Sequence, residues 1–393
     1  MKLSLRDLDI KGKKVLMRVD FNVPLNQSGE ITDDTRIRAS LPSIKYVLEQ
    51  GGILILMSHL GRPKGKVDPQ YSLRPVAQYL SDLLEEEVLL APDCVGTDVE
   101  KIVKTLKPGE ILLLENLRFH EGEEHPEEDL GFAKKLAALG DVYVDDAFAA
   151  AHRNHASIVD VTHYFPNASA MGFLMEKEIA SLSQIVLNPT HPFFAIIGGA
   201  KIGTKLGVLS ALAQKIDGIF IGGGMAFTFL KAMGIEVGSS ICDNSKLADA
   251  RAFLQTCKEK EIKVHFPKDL VITNDEKIQI ILTDDGIKQG WKGMDIGPQT
   301  VEEWTKLLNK GETIFWNGPM GVFEEPSFAH GTHRLAQNLA NMSAKVIIGG
   351  GDSIAAVNQM KLEKKFTHLS SGGGASLEFI EFGHLPGIDH LTK

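Results

Sequence analysis

Arg18-Val-Asp-Phe-Asn-Val-Pro24 closes an apolar run of Val15, Leu16, Met17 and Val19, and it sets a pattern that the rest of the chain repeats. The run has the length of a buried strand. Asp20 and Asn22 follow at period two, so both side chains leave the chain on the same side. Pro24 then removes a donor and ends sheet pairing. By itself the stretch reads equally well as a strand stop made of turn formers. Repetition decides the matter: apolar strands recur, each with polar groups at its C-terminal end.

In the first half the arrangement returns three times. Residues 53–57 run into Ser58, His59 and Arg62; residues 111–114 into Asn116 and Arg118; residues 142–144 into Asp145, Asp146, His152 and Arg153. Helical patterns at 73–84 and 129–139 lie between them. Alternating strand and helix implies parallel βαβ units with right-handed crossovers, and such sheets bind ligands beyond the C-terminal ends of their strands. Thr32, Asp33 and Asp34 offer capping oxygens to a helix carrying Ile37, Leu41, Ile44 and Leu48. Arg36 and Arg38 sit in its first turns, where the helix dipole disfavours cations. They either pair with the neighbouring aspartates or serve an anion. The rim of Asp20, Asn22, His59, Arg62, Arg118 and Arg153 suits a compact, multiply negative small molecule, because the guanidinium fork matches phosphate and carboxylate.

Residues 175–187 read as a helix with Ile179, Leu182 and Val186 on one face, broken by Asn188-Pro-Thr-His-Pro192, and form the expected connector between two domains. Beyond it the strand ends carry glycine instead of arginine. The runs are Gly198-Gly-Ala-Lys201 with Lys205, the glycines at 222–224, Asn317-Gly-Pro-Met-Gly, Gly349-Gly-Gly-Asp352-Ser353 and Ser371-Gly-Gly-Gly-Ala-Ser376. Glycine lets backbone approach a ligand, and a following helix offers free N–H groups to phosphate. One such run is ordinarily just a tight turn; a set of them, joined by Lys201 and Lys205, reads as a nucleotide site. No Gly-x-x-x-x-Gly-Lys-Ser/Thr loop and no strand-following Gly-x-Gly-x-x-Gly occurs, which disfavours a P-loop enzyme and a dinucleotide-dependent dehydrogenase.

Bulk properties narrow the class further. A chain of 393 residues exceeds one ordinary core. A net charge of −9 argues against nucleic acid as partner, yet leaves room for local basic clusters on an acidic protein. Cys94, Cys242 and Cys257 lack metal or disulfide spacing, consistent with a reducing compartment. The N-terminal residues lack a signal peptide's apolar core, and no apolar run spans a bilayer. The expectation is a soluble, cytoplasmic protein with no membrane or nucleic-acid partner.

Together these segments, with Phe315-Trp-Asn-Gly-Pro-Met-Gly-Val-Phe-Glu324 and Glu115-Asn-Leu-Arg-Phe119, resemble the phosphoglycerate kinase family from end to end. The resemblance implies two Rossmann-like α/β domains, each a mainly parallel sheet flanked by helices, facing each other across a cleft. It places a phosphoglycerate-binding domain at 1–170, a connecting helix at 171–187, a nucleotide-binding domain at 188–380 and a tail, 381–393, packed back on the first domain. The implied reaction is reversible phosphoryl transfer from 1,3-bisphosphoglycerate to ADP, giving 3-phosphoglycerate and ATP with Mg²⁺, in a monomer that closes about a hinge. Substrate would be held by Asp20, Asn22, Arg36, His59, Arg62, Arg118 and Arg153. Nucleotide would be held by Lys201, Lys205, Gly297, Glu324, Gly350, Gly351, Asp352 and Ser353, with Asp352 on the metal. Arg36, Lys205 and Gly373 would act on the transferring group. Ala149 and Ala150 stand where the family usually has glycine and threonine, and Ser353 and Ser371 where threonine is common. The competing readings are a non-catalytic nucleotide-binding module, which would have lost the charged residues, and the dehydrogenase already disfavoured.

Overall fold

Six of the apolar runs form one open, wholly parallel sheet in the computed structural model, which describes residues 2–393. The strands are β1 (Lys14–Arg18), β2 (Ile53–Met57), β3 (Val88–Leu90), β4 (Ile111–Leu113), β5 (Val142–Asp145) and β6 (Ser169–Met171), in the order β3-β4-β2-β1-β5-β6. All five residues of β2 are buried, as near-continuous apolar strands of a parallel sheet must be when helices cover both faces. The helix Thr35–Glu49 buries Ile37, Ile44 and Val47, and the helix Arg74–Leu84 buries Val76, Ala77 and Leu80, in one cluster with β1 and β2. Register matters more than length here. Arg18 lies opposite both Met57 and Asp145, so β1, β2 and β5 end level and release their loops at one edge.

A second parallel sheet repeats the plan. Its strands are β7 (Phe193–Ile197), β8 (Gly218–Ile221), β9 (Lys263–His265), β13 (Thr313–Asn317), β14 (Lys345–Gly349) and β15 (His368–Ser370), ordered β15-β14-β13-β7-β8-β9. Asn317 is level with Ile197 and Gly349, and Gly349 with Ser370. Trp304, Trp316 and Phe220 fill its core. Between these strands lies an antiparallel sheet of β10 (Asp269–Thr273), β11 (Ile278–Leu282) and β12 (Lys292–Ile296), ordered β11-β10-β12. Sequence reading passes over it because β11 is largely exposed and carries no buried-strand pattern.

The chain divides into two compact units. Residues up to Ala180 pack with His384–Lys393, and Ser181–Gly383 form the other, so the boundary falls inside the helix Phe173–Val186. In the first unit Leu3 N donates to Thr392 O, and Gly387 N donates to Ala151 O. The helical pattern at 129–139 shrinks to Phe132–Ala137, because Asp129 Oδ1 accepts from Gly131 N and makes a local turn instead.

Several helix starts are capped from a distance. Asp34 stands before the helix Thr35–Glu49 but makes no cap bond: its carboxylate accepts from Arg38 Nε and from Tyr79 OH. Asp146 Oδ1, at the end of β5, accepts from Leu174 N and Met175 N at the start of the helix Phe173–Val186. A Cβ on Gly172 would collide with that carboxylate, so glycine there is a condition of the contact. Burial pushes the Asp146 carboxyl up to about 6, against the pull of its hydrogen-bond donors. Asp146→Ala should therefore lower the urea midpoint, removing roughly 1–3 kcal/mol through two orphaned helical N–H groups. An unchanged midpoint would show that this distant cap contributes nothing.

Candidate active site

The level strand ends of the first sheet bring the sequence-identified groups onto one rim. Asp20 Oδ2 accepts from Arg36 Nη1 at 2.6 Å, and Asp20 Oδ1 accepts from Asn22 N. Asn22 Oδ1 accepts from Gly61 N, and Gly61 O accepts from Arg118 Nη1 at 2.9 Å. Gly61 has a φ of +61°, and a Cβ there would strike the Tyr71 ring, so only glycine lets this turn join Asn22 to Arg118. Arg118 is also held by Glu124 at 3.1 Å. The two first-turn arginines part company. Arg38 takes the neighbour-pairing role with Asp34, whereas Arg36 crosses to Asp20 and keeps 38% of its side chain exposed. Arg62 and Arg153 are exposed. Arg153 N donates to Ala150 O, a backbone contact indifferent to the missing threonine hydroxyl.

This rim is crowded with cations, and its histidines respond. Burial, then the charges of Arg18, Arg118, His155 and Arg36, hold His59 well below the usual imidazole range. Burial, then Arg18, Arg118 and Arg153, push His155 down to about 3. Burial and Arg153 push His152 down to about 4. At neutral pH the positive charge therefore resides on arginine alone, and the imidazoles are neutral hydrogen-bonding groups. Arg18 is the member sequence reading missed: it lies within the strand and is fully buried. Asp93, Cys94 and His120 bring three further donor atoms within 4.8 Å of one another, with His120 Nε2 2.7 Å from Asp93 Oδ1.

In the second unit two cavities adjoin, sharing Gly199, Ala200, Pro319 and Asp352. The larger, about 390 Å³, is walled by Phe227, Ile241, Leu270, Met294 and Val322, with Glu324 on its lining. The smaller, about 270 Å³, is polar: Lys201, Lys205, Asn317, Asp352 and Ser353 line it, with Gly350 and Gly351 opening the helix Gly351–Gln359. An apolar slot continuing into two lysines and a helix N-terminus matches a base joined to phosphates. Asn317 is buried with both amide atoms unpartnered, in the wall of the polar cavity; groups left this way commonly wait for a ligand or water. Asp352 is an exposed carboxylate beside that wall, and one carboxylate with phosphate oxygens is a donor set that suits Mg²⁺. Burial pushes Lys205 down to about 8, with Asp352 pulling it upward.

Gly297 lines neither cavity; it precedes the helix Pro298–Leu308 and leaves room for the Asp269 carboxylate, which accepts from Gln299 N and Thr300 N. Gly293, on β12, is among the glycines that line the larger cavity, and a Cβ there would meet the Phe227 ring. The role of strand-end glycines also divides. A Cβ on Gly198, Gly223 or Gly318 would strike the backbone of an adjoining loop, whereas Gly199, Gly351 and Gly373 face open space. Gly373 precedes the helix Gly374–Phe382 and lines neither cavity. Ser353 Oγ accepts from Gly318 N at 2.7 Å, so its hydroxyl ties the helix start to the loop after β13. Gly293 escaped notice; Asn317, read only as the head of a glycine run, ends β13 much as Asp20 follows β1. Among the described residues no helix is long and apolar enough to cross a membrane.

An anion rim of guanidinium groups on one parallel sheet, and a base-and-phosphate cavity on another, are the equipment of a phosphotransferase of the kinase class. The model of the family described as phosphoglycerate kinase matches residues 5–382. The phosphoglycerate kinase of Moorella thermoacetica is 50% identical over 395 residues, covering 100% of this chain and 99% of its own. That of Chlorobium phaeovibrioides is 51% identical over 398 residues, with coverage of 100% and 99%. The solved structure of phosphoglycerate kinase from Coxiella burnetii superposes with a TM-score of 0.88 at 37% identity, covering 99% of this chain and 98% of that one. The chain belongs to the phosphoglycerate kinase family.

The depressed Lys205 gives a calorimetric expectation. At pH 8 the amine is only partly protonated, and an arriving polyphosphate favours its charged form. ADP binding should take up a fraction of a proton at pH 8, where the ADP phosphates are already ionised, read from titrations in buffers of different ionisation enthalpy. Lys205→Met should abolish the uptake. No uptake at pH 8, or an uptake unchanged in Lys205→Met, would rule out Lys205 as the phosphate partner.

Proposed function

We propose that the chain catalyses reversible phosphoryl transfer from 1,3-bisphosphoglycerate to ADP, giving 3-phosphoglycerate and ATP. The observation that carries this reading is the rim at level strand ends in which hydrogen bonds join Arg36 to Asp20, Asp20 to Asn22, and Asn22 through Gly61 to Arg118. On it, Asp20, Asn22, His59, Arg62, Arg118 and Arg153 hold the three-carbon acid and its non-transferring phosphate. Lys201, Lys205 and the amides of Gly350, Gly351, Asp352 and Ser353 hold nucleotide phosphates, and Glu324 takes the ribose. Asp352 would hold Mg²⁺, which would supply positive charge to the nucleotide phosphates.

Transfer of a phosphoryl group spreads charge over its equatorial oxygens in a loose transition state. Cations and in-line placement matter there more than a protein nucleophile. The ADP β-phosphate oxygen is already ionised, so no general base is required. Arg36, half-exposed beside Asp20, carries charge to the group in flight, with Lys205 and the Gly373 amide on the nucleotide side. Closure of the 1–170 domain upon the 188–380 domain about the 171–187 helix keeps water from the acyl phosphate. The working protein is a cytoplasmic monomer acting in glycolysis.

A coupled assay of ATP-dependent 1,3-bisphosphoglycerate formation tests the reading directly; a purified, folded chain with no turnover would leave only a binding module. Arg36→Ala should lower kcat by ~10²–10³ while changing either KM far less, and near-normal turnover would remove Arg36 from the transition state. Small-angle scattering should show a smaller radius of gyration with both substrates than with neither.

A further inference from the structure

One group on the rim touches no ligand in the proposed function and is nonetheless the most completely held side chain there. Arg18 is fully buried at the end of β1. Its Nε donates to Ser157 Oγ at 2.9 Å, and its Nη1 donates to Val19 O. Its Nη2 lies 3.0 Å from His59 Nδ1 and 4.0 Å from Glu123 Oε1. Glu123 is fully buried as well, and accepts from Ser157 Oγ at 2.7 Å and from Ser157 N at 3.0 Å. Ser157 thus accepts from the cation and donates to the anion, closing a ring around a buried ion pair. Such a pair is seldom favoured for stability alone, because desolvating two charges offsets their attraction. It demands another explanation.

The explanation lies in what the ring leaves over. A guanidinium has donors and no acceptor. The nitrogen of His59 that faces it must therefore carry a lone pair, which places the ring proton on Nε2. We propose that Arg18 is a positioning residue that fixes His59 as its Nε2–H tautomer, with Ser157 and Glu123 holding the guanidinium in register. His59 then presents a single donor of fixed orientation to an anion. Arg18, Arg118, Arg36 and His155 all face the imidazole electrostatically. Each opposes a second proton, so His59 serves by hydrogen bonding and not by charge. That this proton is used on phosphoglycerate rests on the proposed function; the tautomer itself does not.

Long-range ¹⁵N–¹H correlation spectra of the full chain, with His59→Gln for assignment, read the tautomer directly. The wild type should show His59 neutral at neutral pH with its single ring proton on Nε2. Arg18→Lys keeps a donor-only cation beside Nδ1 and should retain the Nε2–H tautomer. Arg18→Met strands Glu123, so Arg18→Met/Glu123→Gln serves as the neutral replacement. There the tautomers should mix, and KM for 3-phosphoglycerate should rise in proportion to the His59 fraction lost from the Nε2–H form, about twofold for an even mixture, with kcat changed less. A wild-type proton on Nδ1, or a tautomer unaltered in Arg18→Met/Glu123→Gln, overturns the proposal. Addition of 3-phosphoglycerate separates the two claims: an Nε2–H resonance that stays unmoved while the tautomer is as stated would sink the ligand role and leave the positioning role standing.

Discussion

A parallel sheet delivers every strand to the same edge, and most of what this protein presents follows from that one constraint. Because β1 has β2 on one side and β5 on the other, the loops leaving them diverge and open a crevice at the reversal of strand order. Level registers sharpen the effect: Arg18, Met57 and Asp145 mark a common line across three strands. Polar residues placed just beyond that line meet without long loops to steer them. In the other sheet β7 sits between β13 and β8, and the loops beginning at Gly198 and Gly318 meet over it in the same way.

The two edges solve different electrostatic problems with one architecture. The first gathers arginines, whose charge survives burial, and keeps imidazoles neutral among them. A pocket built so does not lose its charge between mildly acid and mildly alkaline solution. The second relies on main-chain N–H groups at the helix start, plus two lysines, one of them softened by burial. Backbone dipoles cannot titrate, so the lysine is the one pH-sensitive element of that grip. Asp295, whose carboxyl burial pushes up to about 7, borders the apolar slot with its oxygens engaged by Gly331 N and Ile296 N.

Much of this was legible in the chain. The strand-then-polar repetition around Asp20, His59, Arg118 and Arg153 comes from periodicity and position, and the glycine runs near Lys201 and Asp352 from turn chemistry. What escaped did so for identifiable reasons. Arg18 sits inside an apolar strand, where its partners Glu123, Ser157 and His59 are contributed by distant segments and no local spacing announces them. Gly297 looked like a ligand glycine, but only the fold reveals that Asp269 occupies its missing side chain's place. The antiparallel β10–β12 sheet lacked the buried-strand signature, although it furnishes Leu270, Lys292 and Met294 to the slot. Pairwise, nonlocal facts of this kind are created by tertiary packing and are invisible to a window on the sequence.

The interlocked turns at Gly198, Gly223 and Gly318 carry an evolutionary implication. Each abuts another's main chain so closely that a side chain on any one would displace its neighbour. Drift at one position cannot be rescued by a change at the next, since the obstruction is peptide backbone, which no codon replaces. A side chain at any of the three would displace backbone beside the cavities. Divergence in what the slot accommodates is left to its walls, where Phe227, Ile241 and Leu270 offer atoms that natural variation is free to trade.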